Sequence, residues 1–347
     1  MRIVFIVRYL SDGGAERVTS LLSNGMAAAG HEITVISFRR VEEEYQLDDQ
    51  VRLVYVPEGS FLSRAKLLRD LVGFFAPDCV ISLGSKYDFM WAAGLFGKGR
   101  VILSERNDPG RKQPVLKRAF TWLCYHRAWG VVFQTPYASD CFKRGIQRRA
   151  VIANPAPTGL PSWDAKRHDK TVINCCRLIE QKNLSLLLRA FAVFYKTHPN
   201  YQLAIYGDGN LSDRLQELAS ELGIRDVFKL SPYSAEVHYY VAQSAMFVSS
   251  SDFEGISNSI IEALCMGVPT ISTDSHGGGS RMLLEDGDCG VLVPCGDVCA
   301  LAAAMSRIAD DEEYAQELSR QARERSQALS LESICSQWLS FVEGRKE

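Results

Sequence analysis

No apolar run in this chain comes near the ~18 residues that a membrane-spanning helix needs. The opening M-R-I-V-F-I-V-R is too short for a secretory leader and has no small-residue cleavage site, so it reads as a buried strand. There is no C-x-x-C among the ten cysteines, and none stands at zinc-ligand spacing from histidines. That usage points to reduced thiols and a cytoplasmic protein, with no disulfide framework and no bound metal. No G-x-G-x-x-G follows the first strand, so the phosphate fingerprint of nicotinamide and flavin enzymes is missing. The six histidines are scattered, and no Ser/His/Asp set has a recognisable local motif. The single D-x-D, Asp286-Gly287-Asp288, is flanked as a turn would be. Basic-aromatic motifs of nucleic-acid modules are absent, which leaves nucleic acid out as a partner. Low complexity and fixed-period repeats are absent too.

What remains is an ordinary globular composition, 46% apolar and 23% charged, in a length of 347 residues that suits two domains. The net charge of −2 hides an asymmetry. Residues 1–155 carry 22 Lys and Arg against 15 Asp and Glu, a balance of +7, and the rest carry 17 against 26, a balance of −9. A basic half points to an anion or an anionic surface. Apolar strand-like runs (R-I-V-F-I-V, E-I-T-V-I-S, C-V-I-S-L, G-V-V-F) alternate with segments of helical period up to residue 153. A stretch rich in proline and polar residues, N-P-A-P-T-G-L-P-S-W-D, then reads as a linker. Alternation restarts with T-V-I-N-C-C and continues to G-V-L-V-P. Strand and helix in strict series predict an α/β chain of two Rossmann-like, doubly wound domains facing across a cleft. The expected bounds are 1–153 and 170–325, with a C-terminal helix over 326–347 returning to the first domain.

The stretch D-F-E-G-I-S-N-S-I-I-E-A-L carries two acids, Glu254 and Glu262, eight positions apart. On one helix they would stand roughly 80° apart, so they are not a face-sharing pair. Gly255, Ser257, Asn258 and Ser259 read instead as a loop feeding a helix N-terminus, with Glu254 before the helix and Glu262 inside it. Free N–H groups at such an end attract phosphate. Carboxylates beside a phosphate are tolerable where hydroxyls are there to donate to them, and sugars supply hydroxyls. Solvated acids beside a helix cap are the plain alternative.

Residues 254–274, E-G-I-S-N-S-I-I-E-A-L-C-M-G-V-P-T-I-S-T-D, resemble the E-x7-E signature of glycosyltransferase family 4, retaining enzymes of the GT-B fold. Further landmarks agree in order: Gly13-Gly14-Ala15-Glu16, Cys176-Arg177-Leu178 with Lys182-Asn183, Tyr206-Gly207-Asp208-Gly209, Gly277-Gly278-Gly279 and the run from Gly290 to Asp297. The resemblance implies catalytic roles for Glu254 beside the donor sugar and for Arg177 and Lys182 on the donor diphosphate. It implies donor binding by Glu262 on the ribose, by the backbone of Gly255, Ile256, Ser257 and Asn258, and by Gly14. Gly13, Glu105 and Arg106 become acceptor-side candidates. The chain departs from the family at Cys176, where glycine is usual, at Ser280-Arg281-Met282, and at Leu103-Ser-Glu-Arg-Asn-Asp-Pro109, where many members have a histidine. The S-E-R-N form resembles a polysaccharide-assembly subgroup.

Residues 111–129 mix cations with aromatics. Leu116, Phe120, Trp122 and Leu123 form either a core-packing stripe or the face of an interfacial helix meeting an anionic membrane. The reaction implied is transfer of a hexose or N-acetylhexosamine from a nucleotide sugar, a UDP-sugar, to a lipid diphosphate-linked glycan, without cofactor or metal, on the inner face of the cytoplasmic membrane. A nonhydrolysing sugar-nucleotide epimerase and a catalytically silent sugar-nucleotide-binding partner protein are the alternatives.

Overall fold

The computed structural model describes residues 1–344 apart from positions 12, 85, 107, 108, 111–113, 143, 144, 147, 167 and 235. Arg111 and Lys112, counted above in the basic segment, and Asn107 and Asp108 of the S-E-R-N stretch therefore lie outside the described residues. The chain divides into two compact units, Met1–Pro155 with Leu331–Glu347, and Ala156–Ser330.

In the first unit the elements run β1 (Arg2–Val7), α1 (Gly14–Ala28), β2 (Glu32–Ser37), β3 (Arg52–Tyr55), α2 (Phe61–Phe75), β4 (Cys79–Ser82), α3 (Tyr87–Ala92), β5 (Arg100–Glu105), α4 (Val115–Arg127), β6 (Gly130–Phe133), α5 (Pro136–Cys141) and β7 (Arg149–Val151). All neighbouring strands are parallel, in the order β3-β2-β1-β4-β5-β6-β7. Helices cover a parallel sheet, so its strands are buried and apolar along their length. Ile3 to Val7, Cys79 to Ser82 and Val101 to Leu103 are all buried. Helix α1 buries Val18, Leu22 and Met26, four apart on one face.

The second unit repeats the plan with β8 (Asp169–Cys175), α6 (Leu184–Tyr195), β9 (Gln202–Tyr206), α7 (Ser212–Glu221), β10 (Phe228–Ser231), α8 (Val237–Gln243), β11 (Ser244–Ser249), α9 (Asn258–Met266), β12 (Thr270–Thr273), α10 (Gly279–Leu283), β13 (Val291–Val293), α11 (Val298–Asp310) and α12 (Glu312–Ala328). Its parallel sheet has the order β10-β9-β8-β11-β12-β13. Two Rossmann-like α/β domains are what the alternation predicts. The last helix, α13 (Leu331–Glu343), belongs to the first unit, where it buries Ile334, Cys335, Trp338 and Val342. Phe341 meets Trp129 edge-on at 5.9 Å, and Arg100 Nη1 donates to the Val342 carbonyl at 2.9 Å.

In each sheet the winding direction reverses once, between β1 and β4 and between β8 and β11. At such a point the loops leaving the two strands diverge to opposite faces, and ligands bind at the carboxyl ends there. The loops after β8 and β11 carry Lys182 and Glu254.

Candidate active site

After β8 the chain makes a single 3-10 turn, Glu180–Lys182, and Asn183 enters the left-handed region at φ 41°. Its side chain caps α6 by accepting from the Leu186 N–H at 3.2 Å. That turn delivers Lys182 to the loop after β11. Lys182 Nζ donates to Glu254 Oε2 at 2.5 Å, and Ser251 Oγ donates to the same oxygen at 3.1 Å. Both charged side chains are only 13% exposed, so their attraction is screened far less than that of a surface pair.

The two loops are laced on either side of this pair. Ser250 Oγ donates to the Lys182 carbonyl at 2.9 Å, Asn183 Nδ2 to Asp252 Oδ1 at 2.7 Å, and Gln181 Nε2 to the Phe253 carbonyl at 2.9 Å. The third loop, after β12, joins through the Glu254 N–H, which donates to the His276 carbonyl at 3.0 Å. Gly279 presses against Gly255 there. A Cβ on Gly279 would fall 1.4 Å from the Gly255 carbonyl oxygen, so glycine at 279 is required by backbone approach. Gly207 is required likewise, since its Cβ would fall 1.8 Å from the Cys176 carbonyl oxygen.

Behind these loops α9 starts at Asn258, with Ile256 and Ser257 buried and Gly255 and Asn258 partly so. Ser257 stands at the N-cap position but makes no capping bond; its hydroxyl lies 3.0 Å from that of Ser259 instead. This differs from the capping expected of Ser257. Glu254 lies in the loop before the helix, as expected. Glu262, one turn inside, is buried, and its Oε2 lies 3.0 Å from His238 Nε2 on α8. His238 was not singled out by sequence reasoning. Arg177 stands exposed at the end of β8, outside the Lys182–Glu254 contact. Cys176, in the place of the usual glycine, has its thiol pushed up to about 12, chiefly by burial, with Lys182 opposing. The D-x-D is a turn: Asp286 is left-handed at φ 57° and its carboxylate is tied to Arg281.

In the first unit Gly13 is the N-cap residue of α1 and Gly14 its first residue, with Glu16 in the first turn. Burial raises the Glu16 carboxyl above the usual range, with Arg8 and Arg106 opposing. Arg106 donates through Nη1 to Asn154 Oδ1, and burial lowers its guanidinium to about 10. Glu105 is buried and accepts from Tyr125 Oη at 2.7 Å. It also lines a cavity of about 540 Å³ with Val115, Arg118, Trp122 and Phe142. Helix α4 splits the expected stripe: Cys124, Tyr125 and partly Phe120 pack on the core. Leu116, Trp122 and Leu123 are exposed beside Lys117 and Arg118.

Fold and site together define the class of glycosyltransferases built from two Rossmann-like domains. Residues 12–159 match the description Glycosyltransferase Family 4, and residues 161–325 match Glycosyl transferases group 1. The chain belongs to the family 4 glycosyltransferases. It is 27% identical to a Campylobacter jejuni α-1,4-N-acetyl-D-galactosaminyltransferase named for GalNAc-alpha-(1->4)-GalNAc-alpha-(1->3)-diNAcBac-PP-undecaprenol, over 99% of this chain and 98% of that one. A second Campylobacter jejuni enzyme, a diphospho-undecaprenol 4-α-N-acetylgalactosaminyltransferase, is 29% identical over 52% of this chain and 48% of its own length. Among solved structures, Anabaena HepE in complex with UDP superposes with a TM-score of 0.84 at 16% identity, covering 99% of this chain and all of that one.

Proposed function

We propose that this protein is a retaining glycosyltransferase that moves a hexose or N-acetylhexosamine from a UDP-sugar to a lipid diphosphate-linked glycan, with no metal. The observation that carries the reading is the Lys182–Glu254 pair at the switch point, beside the start of α9. In the reaction the bond between the anomeric carbon and the diphosphate oxygen breaks, and its electrons leave with the UDP. An acceptor hydroxyl oxygen forms the new bond on the same face and passes its proton to the departing diphosphate oxygen.

Negative charge grows on the diphosphate as this happens. Lys182 and Arg177 are the cations that oppose it, and the amides at the start of α9 add donors. The paired state keeps Lys182 and Glu254 mutually neutralised until a diphosphate competes for the ammonium. Glu254 then faces the sugar, where positive charge builds at the anomeric carbon, and Glu262 accepts from the ribose hydroxyls. In the first unit Gly13, Glu105 and Arg106 serve the acceptor, and Gly14 the donor. The acceptor class rests on the names of the Campylobacter jejuni relatives and on the positive balance of the first half.

No helix among the described residues is long and apolar enough to cross a membrane. On this proposal an acceptor held in lipid is met at the surface of the bilayer's inner face. Helix α4, with Leu116 86% and Trp122 50% exposed beside Lys117 and Arg118, is the element suited to that contact. Incubation with a panel of UDP-sugars tests the donor reading: slow release of UDP from one or a few is expected, and release from none, with no UDP binding, refutes it.

A further inference from the structure

Glu262 is a carboxylate in the second turn of a core helix, and its side chain is only 7% exposed. A carboxylate in that position needs donors around it, because burying an unpaired charge is costly. His238 is placed to hold it. Its ring is 21% exposed and projects from α8, with Nε2 at 3.0 Å from Glu262 Oε2. Helix α8 is itself firmly mounted. Its own Val237, Val241 and Ala242 are buried, and the Tyr240 ring stacks on Tyr206 at 5.2 Å with the planes 8° apart. The imidazole therefore sits on an element fixed by packing on either side of it.

We infer that His238 is a positioning residue for the nucleotide: its Nε2–H fixes the Glu262 carboxylate in the orientation that accepts the ribose hydroxyls. The inference rests on the donor reading above and adds a residue to it. An ionised carboxylate offers acceptors only, so the proton of this contact belongs to Nε2. The bond fixes the plane of the carboxylate, and with it the direction from which ribose hydroxyls can donate. Without it, the carboxylate turns from that orientation, and the ribose meets a misplaced partner. The ribose does not react, so its contacts are equal in ground and transition states. Loss of His238 then weakens donor binding and leaves turnover at saturating donor unchanged.

Calorimetric titration of the intact protein with UDP tests this, alongside hydrolysis kinetics with the UDP-sugar that turns over. His238→Phe should bind UDP about ten-fold more weakly, the scale of one hydrogen bond to a charged group. His238→Gln, whose Nε2 amide can stand in for the ring nitrogen, should stay within about three-fold of wild type. In a Glu262→Gln background His238→Phe should cost less than about two-fold, because the carboxylate it served is gone. Should phenylalanine prevent folding, His238→Asn, whose amide stops short of Glu262, takes its place with the same expected loss. Wild-type affinity in His238→Phe or His238→Asn, a full loss retained in the Glu262→Gln background, or no recovery with Gln overturns the inference alone. Failure of the wild-type protein to bind UDP overturns the donor reading and this inference with it.

Discussion

Replacing Lys182 by alanine removes the ammonium from a pair whose members are each 13% exposed and 2.5 Å apart. Two separate effects follow, and the structure lets them be told apart. The first is on the fold: Glu254 keeps Ser251 Oγ at 3.1 Å but loses its cation. Stranding a fully buried charge costs about 3–5 kcal/mol, and partial exposure with one hydroxyl remaining brings this to roughly 1–2 kcal/mol. The second effect is on catalysis. In the proposed mechanism Lys182 opposes charge that appears only as UDP departs, so its removal should raise the barrier by about 2–4 kcal/mol, or roughly 30- to 900-fold in rate. Thermal unfolding reads the first and steady-state kinetics at saturating donor the second. Glu254→Gln in the Lys182→Ala background should restore most of the stability, since the stranded charge is gone, and none of the rate. Transfer by Lys182→Ala at the wild-type rate would refute the assignment. A rate loss recovered together with stability in the double variant would reduce Lys182 to a structural residue.

The other expectations are simpler. Glu254→Gln should lower turnover more than donor affinity, while Glu262→Gln should weaken UDP binding by about 1–3 kcal/mol and leave turnover in place; indistinguishable defects by calorimetry and kinetics would end that division of labour. The proposed metal-free clamp of Arg177, Lys182 and the α9 amides requires activity to survive excess chelator; complete loss restored by manganese contradicts it. Gly279→Ala should lose about 1–3 kcal/mol of stability together with UDP affinity, because its Cβ meets the Gly255 carbonyl rather than a side chain that can move. Substituting Leu116 and Trp122 by serine should reduce sedimentation with vesicles containing anionic lipid and leave UDP binding untouched; unchanged sedimentation removes α4 from the membrane contact.

The fold could be read from the sequence because parallel strands covered by helices are written as unbroken apolar runs. R-I-V-F-I-V and C-V-I-S-L need no partner to be recognised. Strand β7 escaped, since R-A-V is three residues long and its outer positions are exposed. In α4, helical period alone could not say which apolar residues face inward. Cys124 and Tyr125 do, and Leu116 and Trp122 do not. The site was legible only in parts. Lys182 and Glu254 are 72 positions apart, and nothing local to either announces the contact; only the order of motifs connected them. His238 carried no signal at all. Its partner lies 24 residues on, across a strand, and a lone histidine before two tyrosines reads as an ordinary helix residue.

Transfer with stereochemical readout is the most direct measurement. The protein would be incubated with an α-linked UDP-sugar and a polyprenyl diphosphate-linked glycan, UDP release followed, and the anomeric configuration of the product determined by NMR. The account predicts UDP released in step with glycan extension and an α-linked product. A β-linked product, or a UDP-sugar bound with neither hydrolysis nor transfer to any such acceptor, would contradict it.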